Sequence, residues 1–181
     1  MTQRDLILEY SEKWKSLGIE TFSIKIEAEH RSKKLFRKMI KITDETIKSH
    51  DSIPNDFNTL GIILGDSGIF CLDIENIDGS VDNFYSILKK RGIEKESLLM
   101  EKSMNSGLHI YFKCGELAIK NKHFKQLEGV HFDVLTKTRA FTAPSLFNSK
   151  RYEWLGDKFN NINTFNDIPS FPLLLSDFLD I

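Results

Sequence analysis

Hydrophobic positions recur along the chain with two different periods, and the changes of period mark its elements. Leu6, Tyr10, Trp14 and Leu17 fall at helical spacing. Thr2, with Asp5 three residues on, supplies a capping box, and Gly18 stops the pattern. Residues 20–26 alternate, with Phe22, Ile24 and Ile26 on one side, which predicts a half-buried strand. Residues 59–64 and 69–74 are apolar runs separated by Gly65-Asp66-Ser67-Gly68 and predict two strands joined by a tight turn. Ser80 is placed to cap a helix through Lys90, with Val81, Phe84, Tyr85 and Leu88 inward and Gly92 ending it. Further strands are predicted at 98–102, 108–113, 130–135, 140–143 and 151–155, with a short helical stretch near 116–126. After Pro169 a closing helix is predicted, packed by Leu174, Phe178 and Leu179. Residues 30–41 predict either a helix with Leu35, Met39 and Ile42 on one face or a basic loop, and Thr43 a short helix through His50. Strands mixed with helices, many of them hairpin-linked, predict an α+β fold.

Composition narrows the class. Hydrophobic residues make up 40% of 181, enough for a real core. The net charge is −1, so the chain does not coat DNA by bulk charge, although a local basic groove remains open. Residues 30–41 hold six Lys or Arg and no acid. Residues 113–151 hold eight against three acids. Such runs suit a polyanion, or they are solvated faces. The two cysteines, Cys71 and Cys114, sit in apolar runs and exclude a disulfide scaffold or a Cys-based zinc cage. The start lacks the apolar core of a signal peptide, and no apolar run reaches the roughly 18 residues of a membrane span. A soluble, intracellular protein is expected.

Three places can carry chemistry. Asp73-Ile74-Glu75 ends an apolar strand, and alternation puts both carboxylates on one face, where a hard cation such as Mg²⁺ or Mn²⁺ would relieve their repulsion. The alternative is a strand end running into a polar loop. In Asn105-Ser106-Gly107-Leu108-His109 a small-residue turn feeds an apolar strand, so Ser106 and its neighbours can form an anion nest beside His109. The alternative is a hairpin turn with a satisfied histidine. Asp133, within Val130-His131-Phe132-Asp133-Val134-Leu135, is costly to bury unless paired or metal-bound, or else it faces solvent.

In this order, the D-I-E motif, S-G-L-H-I-Y-F, V-H-F-D-V, then Ala143-Pro144-Ser145 and Tyr152-Glu153-Trp154, resemble the bifunctional primase/polymerase N-terminal domain of the archaeo-eukaryotic primase superfamily. The resemblance runs from about Leu8 to Phe178. Asn58 to Gly65 matches the strand before the first acidic motif. Two positions depart: Ser106-Gly107 stands where the family usually has two glycines, and Leu135 where a basic residue often follows the third acid. The resemblance implies one catalytic domain over residues 1–181. Within it, an N-terminal α/β unit (about 1–68) lies beside an RNA-recognition-motif-like catalytic sheet (about 69–168), followed by the closing helix (169–181). The active site lies in the cleft between the two parts. It implies template-dependent nucleotidyl transfer in replication of a plasmid, virus, phage or mobile element, from NTP or dNTP on a DNA template. Asp73, Glu75 and Asp133 would hold two Mg²⁺ or Mn²⁺ ions. His109, Ser106, Gly107 and Lys137 or Arg139 would bind the nucleotide, and Lys33, Lys34, Arg37 and Lys38 the template. No G-x-x-x-x-G-K-S/T motif is present, so unwinding needs a helicase domain or protein elsewhere. A non-catalytic single-strand or nucleotide-binding module and a metal-dependent nuclease are the alternatives.

Overall fold

The computed structural model describes residues 1–31, 34–38, 53–64, 67–147 and 149–181, with residues 27–31 and 34–38 described by their backbone alone. The expected helix over 43–50, Met39, Ile42 and the Gly65-Asp66 turn lie outside the described residues. Helix α1, Gln3–Ser16, opens on the capping box: Asp5 N donates to Thr2 Oγ1 at 3.1 Å and Thr2 N to Asp5 Oδ2 at 2.8 Å. Its buried face is Ile7, Ser11 and Trp14, so Ile7 rather than Leu6 starts the inward stripe. Strands β1, Thr21–Ile24, and β4, Thr59–Ile63, pair with β10, Arg139–Thr142, in a small antiparallel sheet of order β1–β4–β10.

The larger antiparallel sheet has the order β13–β6–β7–β5–β9–β8. Its strands are β5 (Ile69–Ile74), β6 (Leu99–Lys102), β7 (Leu108–Lys113), β8 (Lys122–Leu127), β9 (Val130–Leu135) and β13 (Glu153–Trp154). Alternation gives this sheet two faces. Phe70, Leu72, Ile74, Ile110, Phe112, Phe132 and Val134 pack under helix α2, Ser80–Lys90, and the C-terminal residues Leu175 and Phe178. Cys71, Leu99, Tyr111 and Leu135 pack on the other side against Ile7 and Trp14 of α1 and Leu60, Ile62 and Ala140 of the small sheet.

Several expectations change. Strands β4 and β5 are not a hairpin: each is apolar on consecutive positions because each lies inside its own sheet, and the chain crosses from one to the other. Residues 27–31 and 34–38 are an antiparallel pair, β2 (Glu27–Arg31) and β3 (Lys34–Lys38), in register Arg31↔Lys34. The pairing satisfies the backbone groups that a basic loop would leave to water. The stretch expected to be helical near 116–126 contains β8 instead, drawn into the sheet by β9. Gly79, not Ser80, is the N-cap of α2, and Ser80 Oγ accepts from His131 N at 2.9 Å. The expected strand over 151–155 is split, with β12 (Lys150–Arg151) pairing with β11 (Leu146–Phe147) and Glu153–Trp154 on the large sheet. The closing helix is a 3₁₀ segment, Leu173–Phe178. Its three-residue turn buries Leu175 and Phe178 together and leaves Leu174 exposed.

Gly61 sits between Phe22 on β1 and Phe141 on β10. A Cβ there would stand 2.1 Å from Phe22 Cζ, and the ring is itself buried. Gly61→Ala is therefore expected to cost about 1–3 kcal/mol, read as a lower urea midpoint at unchanged slope. An unchanged midpoint would mean that the Phe22 ring is free to move aside.

Candidate active site

The site follows from register. Asp73 on β5 stands directly opposite His109 on β7 and, on its other side, Asp133 on β9. His109 in turn stands opposite Glu101 on β6. Directly opposed residues point to the same face of a sheet, with Cβ atoms about 4.5–5.5 Å apart. Glu101, His109, Asp73 and Asp133 thus form one row across four neighbouring strands. Two positions along the same strands, on the same face, lie Leu99, Tyr111, Cys71 and Leu135. The face is apolar under α1 and ionisable one layer further on.

The row opens to solvent from Glu101 to Asp73. The Glu101 side chain is fully buried, His109 is 7% exposed, and Asp73 is 26% exposed. Glu101 Oε1 accepts from Tyr111 Oη at 2.7 Å and lies 3.2 Å from His109 Nδ1. Its Oε2 accepts from Thr142 Oγ1 at 2.9 Å and Ala143 N at 2.7 Å. His109 Nε2 faces Asp73 Oδ1 at 3.5 Å. Burial works against a charge on this imidazole, but Asp73 and Glu101 outweigh it and lift its pKa from 6.5 to about 10. The result is an imidazolium held between two carboxylates. Sequence reasoning passed over Glu101, although an acid inside the apolar strand 98–102 carries the same signal as Asp133.

Asp133 is held from β8. Lys122 pairs with Val134 and Lys125 with Phe132, so His123 and Phe124 together face Asp133 across a β-bulge. His123 Nδ1 lies 2.9 Å from Asp133 Oδ2, and Phe124 N donates to Oδ1 at 2.7 Å. Neither residue was foreseen, because a bulge leaves no periodic trace. Glu75 follows just past the end of β5, exposed, with its N–H on His131 O at 2.9 Å. Partial burial, then the charges of Asp73 and Asp133, push its carboxyl above the usual range. With Glu75 raised in this way by its two neighbours, the three carboxylates are a hard-oxygen set whose repulsion a divalent cation would relieve. Among the described residues, no three His, Cys, Asp or Glu side chains stand arranged as a metal cage.

The Ser103–Gly107 turn closes on itself, Ser103 N donating to Gly107 O and Ser106 N to Ser103 O, each at 2.9 Å. It tucks against the end of β5, where a Cβ on Gly107 would stand 2.3 Å from Ile74 O. Ser106 is exposed there. Lys137 lies past the end of β9, its N–H on Asn121 Oδ1. Arg139 is not brought to the row. It lies on the face of β10 opposite Ala140 and Thr142, with its guanidinium 5.5 Å over the Phe22 ring. Lys34, Arg37 and Lys38 fall on β3, and Lys33 lies outside the described residues.

A family model described as bifunctional DNA primase/polymerase, N-terminal, matches residues 25–172. No curated protein matches the chain. Among the described residues, no helix is long and apolar enough to cross a membrane.

The paired imidazole makes a stability prediction. Folding raises the His109 pKa from 6.5 to about 10. Its ion-pair contribution is therefore complete below pH 6.5 and is lost as the pH rises from 6.5 to about 10. His109→Gln should melt below the wild type at pH 6, and the gap should narrow towards pH 10. A gap constant over that window would show that the imidazole is neutral in the fold.

Proposed function

The chain belongs to the bifunctional DNA primase/polymerase N-terminal family, and on that footing we propose that Asp73, Glu75 and Asp133 hold two divalent ions, Mg²⁺ or Mn²⁺, for template-directed nucleotidyl transfer. Membership supports a DNA primase/polymerase activity of the nucleotidyltransferase type, acting on DNA and nucleotides. The observation that carries the finer reading is the register that sets Asp73 between Asp133 and His109. The strand order β6–β7–β5–β9, with α2 following β5, supports an RNA-recognition-motif-like sheet. The α1 and β1–β4–β10 layer beside the row supports a cleft between the two parts.

Asp73, Glu75 and Asp133 would hold the divalent ions, whose positive charge would offset the negative charge that grows at the α-phosphate. The protein's own residues do the rest. Asp73 and Asp133 present carboxylates from adjacent, rigid strands. Glu75 adds a third from the first residue after β5, where it is free to approach or withdraw. His109 offers a fixed positive charge to the triphosphate, and Glu101 keeps its ring from turning. The Ser106-Gly107 turn, set against the end of β5, offers the exposed Ser106 hydroxyl to a phosphate, with Lys137 as a further cation. Lys33, Lys34, Arg37 and Lys38 contact the template backbone through phosphates, which makes binding fall steeply with salt. The whole chain acts as one catalytic domain in replication of a plasmid, virus, phage or mobile element, and strand opening comes from a helicase outside it.

The test is primer extension with Mn²⁺ by an Asp73→Asn, Glu75→Gln double variant, with single-strand binding measured on the same preparations. Incorporation should fall by about 100-fold or more, while strand binding is kept or tightened. Without metal, Glu75→Gln alone should melt no lower than the wild type, since it removes mutual repulsion, whereas the double variant also loses the Asp73 carboxylate that faces the His109 imidazolium and should melt lower at pH 6. Undiminished incorporation would overturn the assignment of the acids. Release of nucleotides from a labelled strand, with no incorporation, would show a nuclease instead.

A further inference from the structure

Phe124, at the β8 edge of the large sheet, is 96% exposed and has a φ of 54°. Left-handed backbone is costly for a bulky side chain, and a ring in water gives nothing back to the fold. The backbone is held there by the bond from Phe124 N to Asp133 Oδ1 at 2.7 Å, beside the His123 contact to Oδ2 at 2.9 Å. A glycine or asparagine would make the same bond without strain. The His123 and Phe124 rings lie side by side, centroids 6.4 Å apart. The bulge therefore fixes an aromatic surface to one of the site's own carboxylates.

The order of the row says what would meet it. In an in-line displacement the leaving pyrophosphate and the attacking hydroxyl lie on opposite sides of the α-phosphate. His109, on the β7 side of Asp73, marks the triphosphate end. The attacking nucleotide then lies beyond Asp133, towards β8. On an established primer, the base of that nucleotide is stacked on its 5′ side by the preceding base. When a chain is begun, the first nucleotide has no such neighbour, and that face of its base is bare.

We propose that Phe124 is the stacking platform for the initiating nucleotide in chain initiation, supplying the face contact that a preceding base provides during extension. The proposal rests on the nucleotidyl-transfer reading above. Its ligand is a nucleoside triphosphate held by its base face, so the site tolerates any base.

The experiment compares wild type, Phe124→Ala, Phe124→Gly and Phe124→Trp in two assays with Mn²⁺. One measures dinucleotide formation on a template without primer, and the other measures extension of a long annealed primer. Because the ring is exposed, all four should fold, and Gly removes the strain as well as the ring. Expected is a fall of about 10-fold in the ratio of dinucleotide formation to extension for Ala and Gly, through KM for the initiating nucleotide, with Trp at or above wild type. Equal ratios for wild type, Ala and Gly would overturn the platform. So would a wild type that extends primers but forms no dinucleotide, and in that case the nucleotidyl-transfer reading stands. A wild type that does neither takes down both.

Discussion

One buried carboxylate holds the site together. Glu101 is fully enclosed, and its two oxygens meet Tyr111 and His109 on β7 and Thr142 and Ala143 at the end of β10. An enclosed carboxylate is tolerable only when its lone pairs are occupied, and removing a partner of a buried charge costs about 3–5 kcal/mol. The geometry around Glu101 is therefore over-determined. It joins the large sheet to the small one at the level where the row begins, and it fixes the ring whose other nitrogen faces Asp73. Packing alone would bring the two sheets together, but it would not set the angle of an imidazole.

From this anchor the chemistry follows the pleat. The layer of Leu99, Tyr111, Cys71 and Leu135 lies under α1, where the sheet pays nothing to be apolar. Two residues on, the same strands carry Glu101, His109, Asp73 and Asp133. Rigidity comes from the first layer and charge from the second, with only one residue between them on each strand. Exposure rises along the row from Glu101 to Asp73, so the positive group is fixed at the buried end and Asp73 stands where solvent reaches it.

Much of this was legible in the sequence because strands write their faces in a period of two. Asp73 and Asp133 were readable as acids on apolar strands, Glu75 as the acid that follows one, and His109 as the residue leaving a small turn; the common face of Asp73, His109 and Asp133 then needed only the pairing of β5 with β7 and β9. What could not be read came from contacts between distant segments. Strands β4 and β5 are both continuous apolar runs, and nothing local says that they enter different sheets. The bulge in β8 breaks the alternation that identifies a strand, so that stretch reads as helical. Glu101 was visible as an acid among Leu98, Leu99 and Met100, but its meaning depends on Thr142 and Ala143, some forty positions away.

The β8 edge shows how stability and function divide the same residues. An edge strand exposes backbone groups that invite further pairing, and a bulge is one way to blunt it. Here the bulge also ties Asp133, whose carboxylate stands opposite Asp73 across the β5–β9 pair. A carboxylate offers about four lone-pair directions, so the two bonds from His123 and Phe124 leave room for a cation on the Asp73 side. Without a cation, those bonds keep Asp133 in place. A residue at this position can thus be strained in its backbone at little net cost to the fold, because the bond that strain makes possible steadies a charge the fold could not otherwise keep so close to a second one.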